Sequence, residues 1–133
     1  MDLRQRVFES NDNAVENGYE IDVWPAWKIA EDISEYDAEL ESFTHAELLP
    51  HITAWLNQRP LRFYCDEMRH LVCKPYTVEN LHRMAADLDI KRCWYHTGRH
   101  PHYDIPKKRV TELTTRCELV DPRQILAITN GEW

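Results

Sequence analysis

The hydrophobic pattern of the chain changes at Pro60, and this change constrains the fold more than any other feature. Between Pro25 and Pro60, apolar residues recur every three or four positions, which is the spacing of one face of a helix. After Pro60, short apolar runs alternate with helical patterns. The sequence therefore predicts an acidic helical segment at 1–60 and a small α/β domain at 61–133, which we expect to form one compact unit.

The first half combines a polar start with two amphipathic patterns. Residues 1–20 show no sustained apolar period and predict a loosely held arm. Thr44 and Glu47 have capping-box spacing ahead of a helix that Pro50 either starts or kinks. Between these segments, apolar residues recur at intervals of three and four after Pro25 and predict one continuous helical face: Ile29, Ile33, Tyr36, Leu40 and Phe43.

The second half predicts strands and helices in alternation, with Asp104 and Asp121 as helix caps. The predicted elements lie at 61–66, 77–89, 92–96, 106–116, 117–120 and 122–129. Repeated strand-helix-strand units pair their strands in parallel. We therefore expect an α/β fold with a small three-stranded, mostly parallel sheet in the order β-α-β-α-β-α. The carboxyl ends of its strands would share one edge, where ligands bind.

Histidines and aspartates concentrate near this predicted edge. Five of the seven histidines lie between His70 and Asp104. The candidate catalytic residues are Asp66, His70, His82, His102 and Asp104. Imidazole and carboxylate groups could hold a divalent metal ion, and the candidate ligands are His70, His82, His102 and Asp104. Without a metal, a neutral histidine could take a proton from water near pH 7.

Each candidate also has a purely structural interpretation. Asp66 could only cap the turn after its strand, and His82 could be a hydrogen-bonded residue beside an apolar stripe. His102 and Asp104 could brace one another in a long loop. His96 and His100 are expected to be exposed and without a role in the site.

Basic residues near the cluster suggest a phosphate-bearing ligand. The candidate phosphate-binding residues are Arg99, Lys107, Lys108 and Arg109. The last three fall in the first turn of the helix predicted after Pro106, where free N–H groups can also bind phosphate. This favours nucleotides or nucleic-acid phosphoesters over uncharged metabolites.

Charge is distributed unevenly between the two halves. Residues 1–60 contain four Lys/Arg and thirteen Asp/Glu, a balance of −9, whereas residues 61–133 contain twelve and ten, a balance of +2. The acidic run at 31–41 is most simply a solvated helix face, but it could also dock a protein partner. An oligomer formed through the tryptophan-bearing first half is a further alternative.

Cysteine spacing and hydropathy exclude several classes of protein. The four cysteines, at positions 65, 73, 93 and 117, form no C-x-x-C pair, so neither a zinc knuckle nor a thioredoxin motif is present. The sequence has no apolar run of membrane-spanning length and no secretory segment at its start. We therefore expect a soluble intracellular protein with reduced thiols and no membrane partner.

Five short motifs in order resemble a known family. They are Phe63-Tyr64-Cys65-Asp66, His70-Leu71, Asn80-Leu81-His82, Trp94-Tyr95 and His102-Tyr103-Asp104. Over residues 61–125 the chain resembles the small bacterial and phage family known as domain of unknown function 4031. The resemblance implies a bacterial host cytoplasm and a basic element after the last motif, which Lys107-Lys108-Arg109 supplies.

The chain also departs from that family's pattern. Asn80 stands where the family has an acidic residue, the His70–His82 connection is longer, and His100-Pro101 precedes the last motif. The family has no established activity. The resemblance therefore supports the choice of candidate site residues but implies no reaction.

Two classes of function remain open. The first is an enzyme, such as a His/Asp-dependent hydrolase, that acts on a nucleotide or nucleic-acid phosphoester and could use a divalent metal. The alternative is a non-catalytic phage-type accessory or inhibitor protein. Such a protein would bind a nucleotide-like ligand or dock a protein partner through its acidic helices.

Overall fold

A computed structural model describes residues 2–133, which form two compact units. The first unit ends at Pro60 and the second is Leu61–Trp133. Across the described residues the chain forms six α-helices and five strands, and all the strands lie in the second unit. None of these helices combines the length and the apolar character that crossing a lipid bilayer requires.

The first unit contains three α-helices. These are α1 (Leu3–Glu16), α2 (Ala26–Tyr36) and α3 (His45–Gln58), with single 3-10 turns at Ile21–Val23 and Ala38–Leu40. The predicted capping box is confirmed, because the Thr44 side chain accepts from the Glu47 N–H and the Glu47 side chain accepts from the Thr44 N–H. Pro50 lies inside α3 rather than at its start.

The prediction of a loosely held arm at 1–20 is wrong. Residues 3–16 form α1, and its buried side chains are Val7, Ser10, Asn11 and Ala14. These positions have helical spacing, but two of them are polar. The buried face of α1 is therefore hard to recognise from the pattern of hydrophobic residues. Each buried polar side chain has a partner outside α1: Asn11 Oδ1 accepts a hydrogen bond from the Tyr36 hydroxyl at 3.1 Å, and the Ser10 hydroxyl donates to Asp37.

The apolar stripe from Ile29 to Phe43 is not one continuous helix. It breaks at Asp37, whose backbone is extended and whose carboxylate accepts from the Glu39 N–H to start the turn Ala38–Leu40. Asp37 is buried and receives one hydrogen bond from Arg6 Nη2, at 2.8 Å, and one from the Ser10 hydroxyl. Arg6 Nε also forms an ion pair with Asp37 Oδ2 at 2.8 Å. One member of the acidic run is therefore part of the packed interior.

In the second unit, the prediction of a three-stranded, mostly parallel sheet is wrong. The sheet is mixed and five-stranded, in the order β3-β4-β2-β1-β5. Among the strands described, β1 and β5 are parallel, whereas the other three pairs are antiparallel. The strands are β1 (Arg62–Cys65), β2 (His70–Lys74), β3 (Tyr95–His96), β4 (His102–Asp104) and β5 (Glu118–Leu119).

The sequence pattern misses β2 because the turn before it lacks the usual hairpin residues. β1 and β2 form a hairpin through 66–69, in which Arg69 adopts φ +68°, a conformation usually taken by glycine or asparagine. The hairpin makes the β1–β2 pair antiparallel. The predicted second strand, 92–96, contains β3, which pairs with β4 and not with β1, so the predicted parallel pair of first and second strands does not exist.

Of the three remaining helices, two are shorter than predicted and one has the predicted length. They are α4 (Val78–Asp87), α5 (Val110–Thr114) and α6 (Pro122–Thr129). The bounds of α6 and its Asp121 cap are confirmed. The helix predicted at 106–116 is instead a 3-10 turn followed by the short α5, in which the Thr114 hydroxyl donates to the Val110 carbonyl.

Helices α4 and α6 pack against opposite faces of the sheet. On β4, Tyr103 alternates with His102 and Asp104, so it points to the other face. The ring of His82 on α4 contacts Tyr103, with centroids 5.9 Å apart, whereas α6 shares a cavity with His102. The face opposite α4 therefore presents His102 and Asp104 toward the side of α6.

Removing the charge of Asp37 is expected to destabilise the first unit. Burial alone would raise the pKa of Asp37, but hydrogen bonds from Arg6 and Ser10 bring it below its ordinary value of 3.8. For Asp37→Asn we expect a loss of about 2 kcal/mol in the free energy of unfolding at pH 7, measured by urea denaturation.

The same interaction fixes how this loss depends on pH. A lowered folded-state pKa contributes stability above pH 3.8, and this contribution disappears as the pH falls through the folded-state value. The difference in the free energy of unfolding between wild type and Asp37→Asn should therefore become smaller below about pH 4. Exposed Glu35, changed to Gln, is the matched control. If Asp37→Asn and Glu35→Gln lose equal amounts of unfolding free energy, the hydrogen bonds of Asp37 do not stabilise the first unit.

Candidate metal centre

Three predicted site residues meet on the sheet face opposite α4. One ligand atom each from His70, His102 and Asp104 lies within 4.8 Å of the others. The strand register explains this grouping: His70 is paired directly with Asp104 across β2 and β4. His102 is two residues from Asp104, so its side chain lies on the same face.

Asp66 orients the His70 ring. His70 Nδ1 lies 2.9 Å from Asp66 Oδ2, while Asp66 Oδ1 accepts from the backbone N–H groups of Met68 and His70. Because the fully buried carboxylate accepts through Oδ2, Nδ1 of His70 carries the proton. The free nitrogen of His70 is therefore Nε2. Asp66 both closes the hairpin turn and fixes the histidine tautomer.

The His102 ring is oriented in the same way by a different acceptor. Its Nδ1 lies 2.8 Å from the backbone carbonyl oxygen of His100, and a carbonyl can only accept. Nε2 of His102 then faces Asp104 Oδ1 at 3.3 Å. A neutral imidazole nitrogen and a carboxylate oxygen are both acceptors. Their approach is favourable only with a proton or a metal cation between them.

Asp104 has a second histidine partner. His96 Nε2 lies 2.7 Å from Asp104 Oδ2, and the His96 ring stacks on that of His102, with centroids 5.1 Å apart and planes 7° from parallel. Register explains this contact, since His96 is paired with His102 across β3 and β4. His96 thus holds one oxygen of Asp104 and leaves the other toward His102.

This donor set fits a divalent transition metal. Two imidazoles and a carboxylate, each with a fixed second contact, are the ligands of many catalytic zinc sites. Ligand atoms bound to tetrahedral zinc lie about 3.3 Å apart, which is the separation of His102 Nε2 from Asp104 Oδ1. Hard ions such as Mg²⁺ and Ca²⁺ prefer sites made of oxygen ligands.

A cavity of about 330 Å³ adjoins the cluster. Three histidines line one side of it, and α6 forms the other. The lining residues are His70, His100, His102, Pro122, Ile125, Leu126 and Thr129. His100 Nδ1 lies 3.1 Å from Thr129 Oγ1, and the Tyr76 hydroxyl donates to the Pro101 carbonyl at 2.7 Å. Both contacts hold the segment before β4 in place.

His82, predicted as a catalytic and metal-binding residue, lies on the other face of the sheet. Its Nδ1 is 2.7 Å from the Tyr103 hydroxyl, and its ring packs against Tyr95 at 4.7 Å between centroids. Burial and then the charge of Arg92 lower the pKa of His82. The geometry places His82 behind β4 rather than with His70, His102 and Asp104.

The predicted phosphate-binding residues occupy varied surroundings. Arg109 is engaged by Glu112 Oε2 at 2.7 Å and by the Asp89 carbonyl at 2.6 Å. Lys107 and Lys108 are exposed on the 3-10 turn after Pro106. Arg99 is exposed and directly precedes His100, which lines the cavity.

The sequence interpretation assigned no role to two histidines that the structure brings to the site. His96 contacts Asp104 and His100 lines the cavity, although both were expected to have no part in the site. The signal that could have found His96 is its spacing in a hairpin with His102. That pairing depends on an antiparallel β3–β4 register, which the parallel interpretation did not contain.

Comparison with known proteins identifies one family. The model of the family described as "Protein of unknown function (DUF4031)" matches residues 58–130, which is more than half of the chain. The resemblance drawn from the five motifs is thereby confirmed. Neither the curated proteins nor the solved structures contain a match.

The lowered pKa of His82 predicts a loss of stability in mild acid. The contribution of His82 is present above its unfolded-state pKa of 6.5 and is lost as the pH falls through the lower folded-state value. The free energy of unfolding of His82→Gln should therefore decrease less between pH 7 and pH 5 than that of wild type, as measured by urea denaturation.

Exposed His45 on α3, changed to Gln, provides the control. If His82→Gln and wild type lose stability in parallel, the burial of neutral His82 does not contribute to folding.

Proposed function

We propose, from the premise that this chain belongs to the DUF4031 family of proteins of unknown function, that its second unit is a metal-dependent hydrolase of phosphoesters. The family description supplies no activity, so the proposal rests on the side chains of the site. Its centre is the cluster of His70, His102 and Asp104.

A single observation carries the proposal. Both histidines have Nδ1 committed to an acceptor, Asp66 for His70 and the His100 carbonyl for His102. Nε2 is therefore the nitrogen of each ring that remains available to a ligand, and Nε2 of His102 lies 3.3 Å from Asp104 Oδ1. Metal-binding histidines usually have this second contact, which fixes the ring and its tautomer. A structural brace between His102 and Asp104 alone would not require His70 to be oriented in the same way.

Three protein ligands leave a coordination position for water or substrate, which distinguishes catalytic from structural metal sites. A divalent ion held by His70, His102 and Asp104 would supply the Lewis acidity that activates water and polarises a phosphoryl oxygen. The exposed fractions of the ligand side chains are 39% for His70, 22% for His102 and 29% for Asp104. A substrate can therefore approach from solvent.

The residues of this chain have separate roles in the proposed reaction. His70, His102 and Asp104 hold the ion, whereas Asp66 and His96 position these ligands. The ion supplies the positive charge that a phosphate requires, so Arg109, which is engaged by Glu112, is not needed for binding. Exposed Arg99 directly precedes His100 of the cavity wall, and its proposed role is to contact the phosphate oxygens.

Zinc binding tests the first half of this proposal. The full chain, stripped of metal by chelation and then titrated with Zn²⁺ in a calorimeter, should bind one ion per chain. His102→Ala and His70→Ala should abolish that binding, because each removes a ligand. At a free zinc concentration 100 times Kd, wild type should gain about 2.7 kcal/mol of stability.

Two further variants distinguish a specific zinc site from nonspecific zinc binding by exposed histidines. Asp66→Asn keeps the shape of the carboxylate but weakens the contact that fixes His70, and should reduce zinc affinity about 10- to 100-fold. His45→Ala removes an exposed histidine of α3 and should leave the affinity unchanged. Equal zinc binding by wild type and the two ligand variants would refute the metal site.

Hydrolysis tests the second half. Zinc- or manganese-loaded protein should release phenol from phenyl phosphate or bis-phenyl phosphate, and His70→Ala should lower kcat/KM by about 100-fold or more. Product release is followed by absorbance with the metal-free chain as control. Zinc and phosphate binding without any turnover would instead support a non-catalytic binding protein.

A further inference from the structure

We infer, on the basis of the proposed hydrolase function, that the substrate is a phosphoester of an apolar, preferably aromatic, alcohol whose organic group occupies the cavity between the cluster and α6. The structure assigns Leu126 and Ile125 as the residues that determine this specificity. The inference goes beyond the choice of reaction, because it names the group attached to the phosphate.

The position of the cavity is the first argument. His70 and His102 belong both to the cluster and to the cavity wall. A phosphate bound at the ion therefore has its ester group within reach of the space beside α6. The two features form one continuous site.

The composition of the wall is the second argument. Four residues of α6 face the three histidines, and Thr129 is the only polar residue among these four. Its hydroxyl already donates to the Leu126 carbonyl at 2.9 Å and lies 3.1 Å from His100 Nδ1. A sugar or glycerol group would lose its hydrogen bonds to water in this cavity, whereas an apolar group would gain by leaving water.

The exposure of Leu126 is the third argument. Ile125 is 6% exposed and belongs to the hydrophobic core, but Leu126 remains 47% exposed while lining the cavity. An apolar group in the cavity would cover part of this leucine. The volume of about 330 Å³ is at the lower end of small-molecule pockets, and it suits one or two aromatic rings rather than an oligonucleotide.

The reaction balances without any further reactant. Water adds to phosphorus as the bond from phosphorus to the ester oxygen breaks. The alcohol leaves with one proton of that water, and the phosphate retains the new oxygen. No oxidation or reduction takes place.

Binding of stable phosphonates separates the two proposals. The full chain loaded with Zn²⁺ is titrated in a calorimeter with 1-naphthylmethylphosphonate and with methylphosphonate, which share the metal-binding group but differ in the apolar group. We expect the naphthyl compound to bind roughly 100-fold more tightly, since burial of its rings adds a few kcal/mol.

Leu126→Glu places a charge in the apolar wall and should remove most of this preference, which is measured as the ratio of the dissociation constants of the two phosphonates. Because Leu126 is half exposed, the variant should fold, and its melting temperature is measured alongside. Leu119→Glu is the matched control: it alters a 63% exposed leucine on β5 and should retain the preference.

Each other result overturns a defined part of the account. Equal affinity for both phosphonates would overturn the apolar substrate and leave the metal-dependent hydrolase standing. Unaltered preference in Leu126→Glu would overturn the assignment of the α6 wall. Failure of the zinc-loaded chain to bind either phosphonate would contradict the proposed function itself, and the inference with it.

Discussion

The antiparallel pairing of β2 with β4 is the constraint on which the candidate site depends. It sets His70 directly opposite Asp104 and, through the two-residue repeat of a strand, places His102 on the same face. The neighbouring β3–β4 pair adds His96 beside His102. A shift of either register by one residue would place the histidines of one strand on the opposite face of the sheet from their partners on β4. The cluster would then not form. The site is therefore built on backbone hydrogen bonds rather than on a flexible loop.

The sequence predicted the helical elements better than the sheet. The Thr44 capping box and the helix Pro122–Thr129 follow from local spacing and capping residues, so they could be located without tertiary information. The helix α1 could not, because its buried stripe includes Ser10 and Asn11, whose burial depends on partners elsewhere in the first unit. β2 was missed because Arg69, in the turn before it, has a positive φ. Arginine rarely adopts this conformation, so the sequence did not predict the turn.

The structure brings together four of the five predicted catalytic residues, although their meeting was expected from an incorrect topology. The parallel interpretation expected a meeting at the carboxyl ends of three strands. In the antiparallel β2–β4 pair, the start of β2 lies beside the end of β4, so His70 and Asp104 still come together. Strand alternation separates His82, which contacts Tyr103 on the other face. Sequence spacing alone could not predict that His82 lies on the opposite face from the cluster. The face on which a side chain lies depends on the exact bounds and register of the strands.

The most direct test of the metal centre is anomalous diffraction at the zinc absorption edge from crystals of the zinc-loaded full chain. The account predicts an anomalous peak about 2.0–2.2 Å from Nε2 of His70, Nε2 of His102 and a carboxylate oxygen of Asp104. Asp66 should remain hydrogen-bonded to His70 Nδ1. A zinc ion bound by the cysteines or by surface carboxylates, with no peak among these three residues, would contradict it.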